Sequence, residues 1–451
     1  MPALADAPAD SPAAGSPAAV LEDLRAAEDA PPVEPPAGFF PDRPETLEEA
    51  KLSREDLEDL VLKVLLNRGA ATGADVARTL SLPRHLMGQF LRELKAEHVV
   101  GYRKNAGPDD YLHDLTNRGA GRAARAHDRC RYHGTAPVAL DDYVASVAAQ
   151  SLRTQTITKD ALRRALRGIQ VSPAMFSEIG AALGSVGAMF LYGPPGNGKT
   201  TIAERLTAAY GSHLWIPRAV RVGSETVRLF DAAVHKEAPA ERDPRRPHDE
   251  RWVRIERPTV IVGGELTLDH LELSHNRATG VMEAPVQMKA NGGTLVVDDF
   301  GRQRMSTDAL LNRWIVPLER GYDFLNTPGG HKVKVPFDLL TVFATNLEPK
   351  DLVDEAFLRR IPFKVRAADP TPAQFLALTH HLAPEIGLEI EPGAVETLVT
   401  EHFLNVDRPL RFCHPRDLLL QVKRHADFEG TPPVATADAF AAAVANYFSD
   451  L

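Results

Sequence analysis

From Arg54 onward, apolar residues recur at three- and four-residue intervals: Leu57, Leu60, Val61, Val64 and Leu65 repeat and stop before Gly69, the spacing of one buried helix face. Thr72 then precedes a short amphipathic run, TGADVARTL, and Leu82-Pro83 opens a third, RHLMGQFLRELKAE, with Leu86, Phe90, Leu91 and Leu94 on one side. The period then switches to two. Residues 98–103 (HVVGYR) and 111–115 (YLHDL) alternate as strands about the polar turn KNAGPDD, which predicts a hairpin after three helices. Past Tyr143 a connecting helix leads to unbroken apolar runs at residues 188–192 (AMFLY), 293–297 (GTLVV) and 339–345 (LLTVFAT). Runs of this kind are buried on both faces, as in a parallel sheet flanked by helices, so the fold class expected is α/β. From Pro370 to the end the pattern is helical again.

The 451 residues are 44% hydrophobic and 25% charged, enough for about two or three domains with their own cores. No stretch approaches the roughly 20 apolar residues that span a bilayer, and no basic segment followed by an apolar one opens the chain. The expected location is therefore cytoplasmic. Cys130 and Cys413 are too few for a disulfide framework or a CxxC metal site, which agrees with a reducing compartment. The formal net charge of −9 lies entirely in residues 1–50, where eleven Asp/Glu stand against Arg25 and Arg43. That segment is rich in Ala and Pro and poor in large apolar side chains, so it reads as a disordered acidic tail. The run GFFP at residues 38–41 is assigned no role beyond a local apolar contact. The remainder is neutral and gives no global pull toward nucleic acid.

Three helices followed by a hairpin, over residues 51–135, resemble a winged helix-turn-helix domain. In such domains the third helix enters the major groove and the wing touches phosphate, so the resemblance makes Arg84, Arg92, Lys95, Arg103 and Lys104 the candidate DNA contacts. Between residues 54 and 131 fourteen Lys/Arg stand against eleven Asp/Glu, and the third helix also carries Glu93 and Glu97. Docking to a protein, or spacing subunits in a ring, is an equal reading of the domain. The basic run at residues 118–131 reads as a solvated helix face, and residues 136–182 as a connecting segment.

The strongest chemical signal is GPPGNGKT at residues 193–200, a full match to GxxxxGK[ST] between a strand and a helix that begins at Lys199. Gly193, Pro194, Pro195, Gly196, Asn197, Gly198, Lys199, Thr200 and Thr201 form its cradle. Backbone N–H groups there curl around phosphates, Lys199 reaches the β- and γ-phosphates of ATP, and the Thr200 hydroxyl holds Mg2+. About a hundred residues later VVDDF puts Asp298 and Asp299 at a strand end, and a further apolar strand ends on Asn346. Parallel sheets bind ligands at such carboxyl ends.

These motifs, with DEAFLRRIPF at residues 354–363 and CHPRDLLL at 413–420, resemble the AAA+ ATPases over about the last 270 residues. The resemblance implies an α/β nucleotide-binding core at residues 183–367 and a helical lid at 368–451. It places Asp298 in the magnesium shell, Asp299 on the attacking water, Asn346 as sensor 1, Arg416 as sensor 2, and Arg360, with Arg359 second, as a finger donated to a neighbour. Most AAA+ proteins carry glutamate where Asp299 stands, although helicase loaders also carry paired aspartates. One methylene less costs part of the roughly 10²- to 10⁴-fold given by general-base help. Outside this resemblance, Arg359, Arg360 and Arg416 also read as ordinary surface ion-pair residues.

The layout around VVDDF further resembles enhancer-binding activators and MoxR-like ATPases. It implies working loops at residues 263–276 and 327–334, with residues 238–251 a flexible insertion. The function implied is an ATPase that assembles as a homo-oligomeric ring and remodels a protein or nucleoprotein client. A DNA-directed regulator or loader and a slow ATP-dependent switch are the alternatives.

Overall fold

The computed structural model describes residues 39–223, 225–240, 245–276, 280–327, 330–353 and 355–448. Most of the predicted tail, residues 1–38, lies outside them. The helical period is realised as α1 (Arg54–Arg68), whose N-terminus is capped by the Ser53 hydroxyl accepting from the Asp56 N–H. After β1 (Ala70–Thr72), α2 (Gly73–Leu80) starts in a reciprocal Thr72 and Asp75 cap, and α3 (Arg84–Ala96) follows. β2 (Val100–Gly107) and β3 (Asp110–Leu115) form the predicted hairpin with a shorter turn than expected, since the ladder runs on through Lys104, Asn105 and Gly107 and leaves only residues 108–109 between them. The strands pair antiparallel in the order β1-β3-β2. A buried carboxylate locks the unit: Asp110 accepts from the Gly73 and Ala74 N–H groups at 2.8 and 3.1 Å. The basic run becomes α4 (Asn117–Arg129), packed on α1, with Arg122 and Arg129 paired to Glu58 and Asp59.

Beyond α5 (Leu140–Ala149) and α6 (Pro173–Ser185) lies the main sheet. Its strands are β4 (Ala188–Tyr192), β5 (Thr259–Val262), β6 (Thr294–Val297), β7 (Leu340–Thr345) and β8 (Phe363–Arg366). They are parallel throughout, in the order β5-β6-β7-β4-β8. Alternation along β4 sends Met189 and Leu191 toward α6 and α7 (Lys199–Leu206), and Ala188 and Phe190 toward α8 (Thr307–Arg320) and α9 (Glu355–Arg360). Each large apolar side chain fully buried this way contributes about 1.5–3 kcal/mol. The lid is built from α10 (Pro372–Ile386), α11 (His414–Glu429) and α12 (Ala437–Tyr447) around Phe375, Phe403 and Phe440. No helix among the described residues is long and apolar enough to cross a membrane.

A second sheet is built from strands between α7 and β6 joined by one from before α5. Its strands are Ser274–Asn276, Val281–Glu283, Glu225–Arg228, Ala219–Val222 and Val138–Ala139, beside the antiparallel pair His213–Pro217 and Trp252–Glu256. Two expectations change here. Residues 39–50, expected as part of a disordered tail, are ordered: Phe39 packs on Trp252 at 5.0 Å between ring centroids, Phe40 packs on Trp215 at 6.0 Å, and Ala50 is buried. The predicted flexible insertion is also ordered where it is described, and residues 241–244 of it lie outside. Asp249 and Arg251 form a buried pair at 2.7 Å, Arg251 Nη1 donates to the Ala50 carbonyl, and the Asp249 N–H donates to that of Pro41. A charge pair this deep persists because its remaining donors and acceptors are satisfied. The N-terminal unit rests on this sheet, since its core runs on to Ala219 and Val281 and Asp56 pairs with Arg221.

Candidate nucleotide site

The strand order decides which side chains meet. β7 lies between β4 and β6, so the residue leaving β7 stands between the glycine loop and the paired aspartates. That residue is Asn346. Its Oδ1 accepts from Lys199 Nζ at 2.6 Å, and its Nδ2 donates to Asp299 Oδ1 at 3.3 Å. On the other side the Thr200 hydroxyl donates to Asp298 Oδ2 at 2.8 Å. Lys199, Thr200, Asp298, Asp299 and Asn346, taken from three separate stretches of sequence, therefore form one continuous polar chain.

The loop of Gly193, Pro194, Pro195, Gly196, Asn197 and Gly198 turns through left-handed backbone at its three glycines, with φ of 139°, 83° and 70°. At Gly193 a Cβ would stand 2.5 Å from the Ala367 carbonyl oxygen, and at Gly196 one would meet Cys413 Sγ at 2.7 Å, so both positions exclude side chains. Lys199 is buried and also donates to the carbonyls of Gly193 and Pro194, each at 2.9 Å. Burial lowers its pKa, while Asp298 and Asp299 pull the other way. Thr201 is exposed on the first turn of α7.

The residues fit a magnesium–nucleotide. Among the described residues no group of three or more His, Cys, Asp or Glu could hold a metal alone. One hydroxyl and one carboxylate, Thr200 and Asp298, are what magnesium takes from a protein when phosphates and water complete its shell.

The lid closes directly on the loop. The Cys413 N–H donates to the Gly196 carbonyl at 2.9 Å, and the Phe412 N–H donates to Asn197 Oδ1 at 3.3 Å. Asn197 Nδ2 donates to Asp369 Oδ1 at 2.7 Å, and Asp369 pairs with Arg411. Arg416 is exposed on the first turn of α11 and has no hydrogen bond or ion pair among the described residues. Arg411, in contrast, is turned inward and its charge acts on Lys199. Neither Arg411 nor Asp369 stands out in sequence, because an arginine and an aspartate 42 positions apart declare no pairing until the lid folds back.

The residues proposed for other roles are placed as follows. Arg360 pairs within its own chain with Glu319 Oε1 at 2.5 Å, whereas Arg359 is exposed and pairs with Glu355 on the next turn. Residues 263–276 and the hairpin Tyr322–Asn326 with Lys332–Pro336 are fastened together: Arg313 pairs with Glu272 at 2.9 Å and with buried Asp323 at 2.6 Å. Residues 328 and 329 of that hairpin lie outside the described residues. On the N-terminal unit, Arg84 pairs with Asp110, Arg103 with Asp114, and Lys95 sits 3.5 Å over the Tyr102 ring, while Arg92 and Lys104 are exposed.

A family model described as a domain of unknown function, DUF8689, matches residues 371–446, the lid. No curated protein matches the chain. Among solved structures, NtrX from Brucella abortus is 15% identical over 74% of this chain and 63% of its own, with a TM-score of 0.40. The chain thus spans under two thirds of that relative. RuvB, the Holliday junction branch migration motor of Thermotoga maritima, is 14% identical over 66% of this chain and 74% of its own, with a TM-score of 0.36. The BchI and BchD complex of magnesium chelatase is 15% identical over 58% and 87%, with a TM-score of 0.31. Likeness at this level carries no functional argument. The glycine loop, the paired aspartates and Asn346 stand in that order along the chain and meet at the carboxyl edge of one parallel sheet flanked by helices, an α/β fold with a P-loop motif.

Proposed function

We propose that the protein is an ATPase that binds ATP with magnesium on residues 193–201, hydrolyses it, and uses the cycle, as a homo-oligomeric ring, to remodel a protein or nucleoprotein client. The observation that carries this reading is the polar chain from Lys199 through Asn346 to Asp299, beside Thr200 and Asp298. The three protons of Lys199 already have acceptors, so a phosphate reaching it replaces at least one of them without moving the amine far. Thr200 and Asp298 would hold the magnesium, which when bound neutralises charge developing on the phosphates. Asp299 accepts a proton from the attacking water, and Asn346 orients that carboxylate and the water. Arg411 and Arg416 stand on the lid side, and Arg360 comes from a neighbour after leaving Glu319.

The DNA-directed alternative is weaker on this surface, since three of its five candidate contacts already have partners within the unit. Asp299→Asn decides between ATPase and switch. The expected result is ATP binding within about threefold of wild type and turnover lower by about 10²-fold or more. Equal, near-zero turnover in wild type and variant, with tight binding in both, favours the switch.

A further inference from the structure

The two aspartates leave β6 on a tight turn. Asp299 lies at φ 47°, left-handed backbone that Asp adopts more readily than most non-glycine residues but that its surroundings must still hold, and Gly301 at φ 100°, which glycine allows. Some of the fixing is visible in the backbone. The Phe300 N–H donates to the Ala344 carbonyl at 2.8 Å, and the Thr345 hydroxyl donates to the Phe300 carbonyl at 3.0 Å. The Arg302 N–H donates to the Asp299 carbonyl and the Asp299 N–H to Asp298 Oδ1, each at 3.0 Å, and one further side chain spans the whole turn. Gln303 Nε2 donates to the carbonyls of Asp298 and Asp299 at 3.0 and 3.1 Å, and its Oε1 accepts from the Gly301 N–H at 2.8 Å.

We propose that Gln303 is a positioning residue for the paired aspartates, closing their turn so that Asp298 faces Thr200 and Asp299 faces Asn346. This rests on the reading of Asp298 and Asp299 as the magnesium and water carboxylates. The chemistry requires a long amide. Only a planar group with two N–H donors and an adjacent acceptor satisfies two carbonyls and one N–H at once. Glutamate has the same shape without the donors and sets a carboxylate against two carbonyl oxygens. Asparagine is one methylene too short to span the turn.

The test uses the full chain with Gln303→Glu and with Gln303→Met, which keeps the volume and removes every polar contact. A fluorescent ATP analogue is titrated with magnesium and with EDTA, and turnover is measured alongside. Metal-free affinity should stay within about threefold of wild type, the gain given by magnesium should shrink at least about fivefold with KM for Mg·ATP rising in step, and kcat should fall at least about tenfold. An unchanged magnesium gain overturns the proposal. So does an equal loss of metal-free affinity, which would show that the loop has simply collapsed. If wild type binds ATP without turning it over, the ATPase reading fails, and the magnesium gain alone still decides the role of Gln303.

Discussion

The carboxyl edge of the main sheet and the outer face of the N-terminal unit both carry charged residues picked out from sequence, yet they treat them in opposite ways. At the sheet edge, Lys199 and Thr200 from the start of α7 and Asp298, Asp299 and Asn346 from the ends of two strands point at one another, each holding the next. On α3 and the hairpin, Arg84 and Arg103 are answered by carboxylates of the same small unit, and Lys95 lies on a tyrosine ring. The first arrangement converges on a point where a ligand belongs. The second is largely self-contained, and surface pairs of its kind contribute only about 0–1 kcal/mol. A cluster of charges identifies a site only when the scaffold aims the charges at common ground.

The largest expected effect attacks the sheet edge from outside. Arg360→Ala should keep ATP binding and lose turnover by about 10³-fold, since only transition-state stabilisation is removed. Mixing it with Lys199→Ala subunits should restore part of the activity if the arginine acts on a neighbour. If turnover is unchanged and only the melting temperature falls, the role of Arg360 is structural, through contacts such as the Glu319 pair. Next, Lys199→Ala should weaken a fluorescent ATP analogue by about 10²-fold, the loss of a charge-assisted contact of about 3 kcal/mol. A change within threefold would erase the contrast between the two regions.

A smaller effect concerns the lid. Burial lowers the His414 pKa to about 4, helped by Arg411, while its Nδ1 accepts from the Arg411 N–H. The folded state therefore resists the proton that the unfolded chain takes up near 6.5, so this stability is full above about pH 6.5 and is lost as pH falls toward 4. Thermal melting between pH 7 and 4 should show the decline, and His414→Gln should flatten it. The smallest effect is expected on the other region: Arg84→Glu and Lys104→Glu should leave turnover within about twofold. A salt-dependent DNA complex whose salt slope drops by about one unit per variant would break the comparison and favour the DNA-directed reading.

Local signals were legible where one stretch of chain settles the structure. The Thr72 cap, the hairpin around KNAGPDD, the strand before GPPGNGKT and the helix opening at Lys199 all follow from neighbours in sequence. What was not legible depends on partners far along the chain. Asp42 meets Arg246 some two hundred residues away, and Phe39 and Phe40 find Trp252 and Trp215, so nothing in the local sequence marks residues 39–50 as ordered. The same holds for Arg251, whose contact with the Ala50 carbonyl buries it and Asp249 within an otherwise largely exposed polar stretch. Within the site, Asp298, Asp299 and Asn346 were readable as strand ends, but Arg411 and Gln303 were not, because an arginine and a glutamine acquire meaning only from what they touch.

Helix α8 joins these observations mechanically. It begins just beyond Gln303, holds both the hairpin and residues 263–276 at Arg313, and grips Arg360 near its far end through Glu319. Its 14 residues make a strut about 20 Å long. Under the function proposed above, a client drawing on the hairpin would load α8 at Arg313, between the aspartate turn that precedes its first residue and the Arg360 pair near its last.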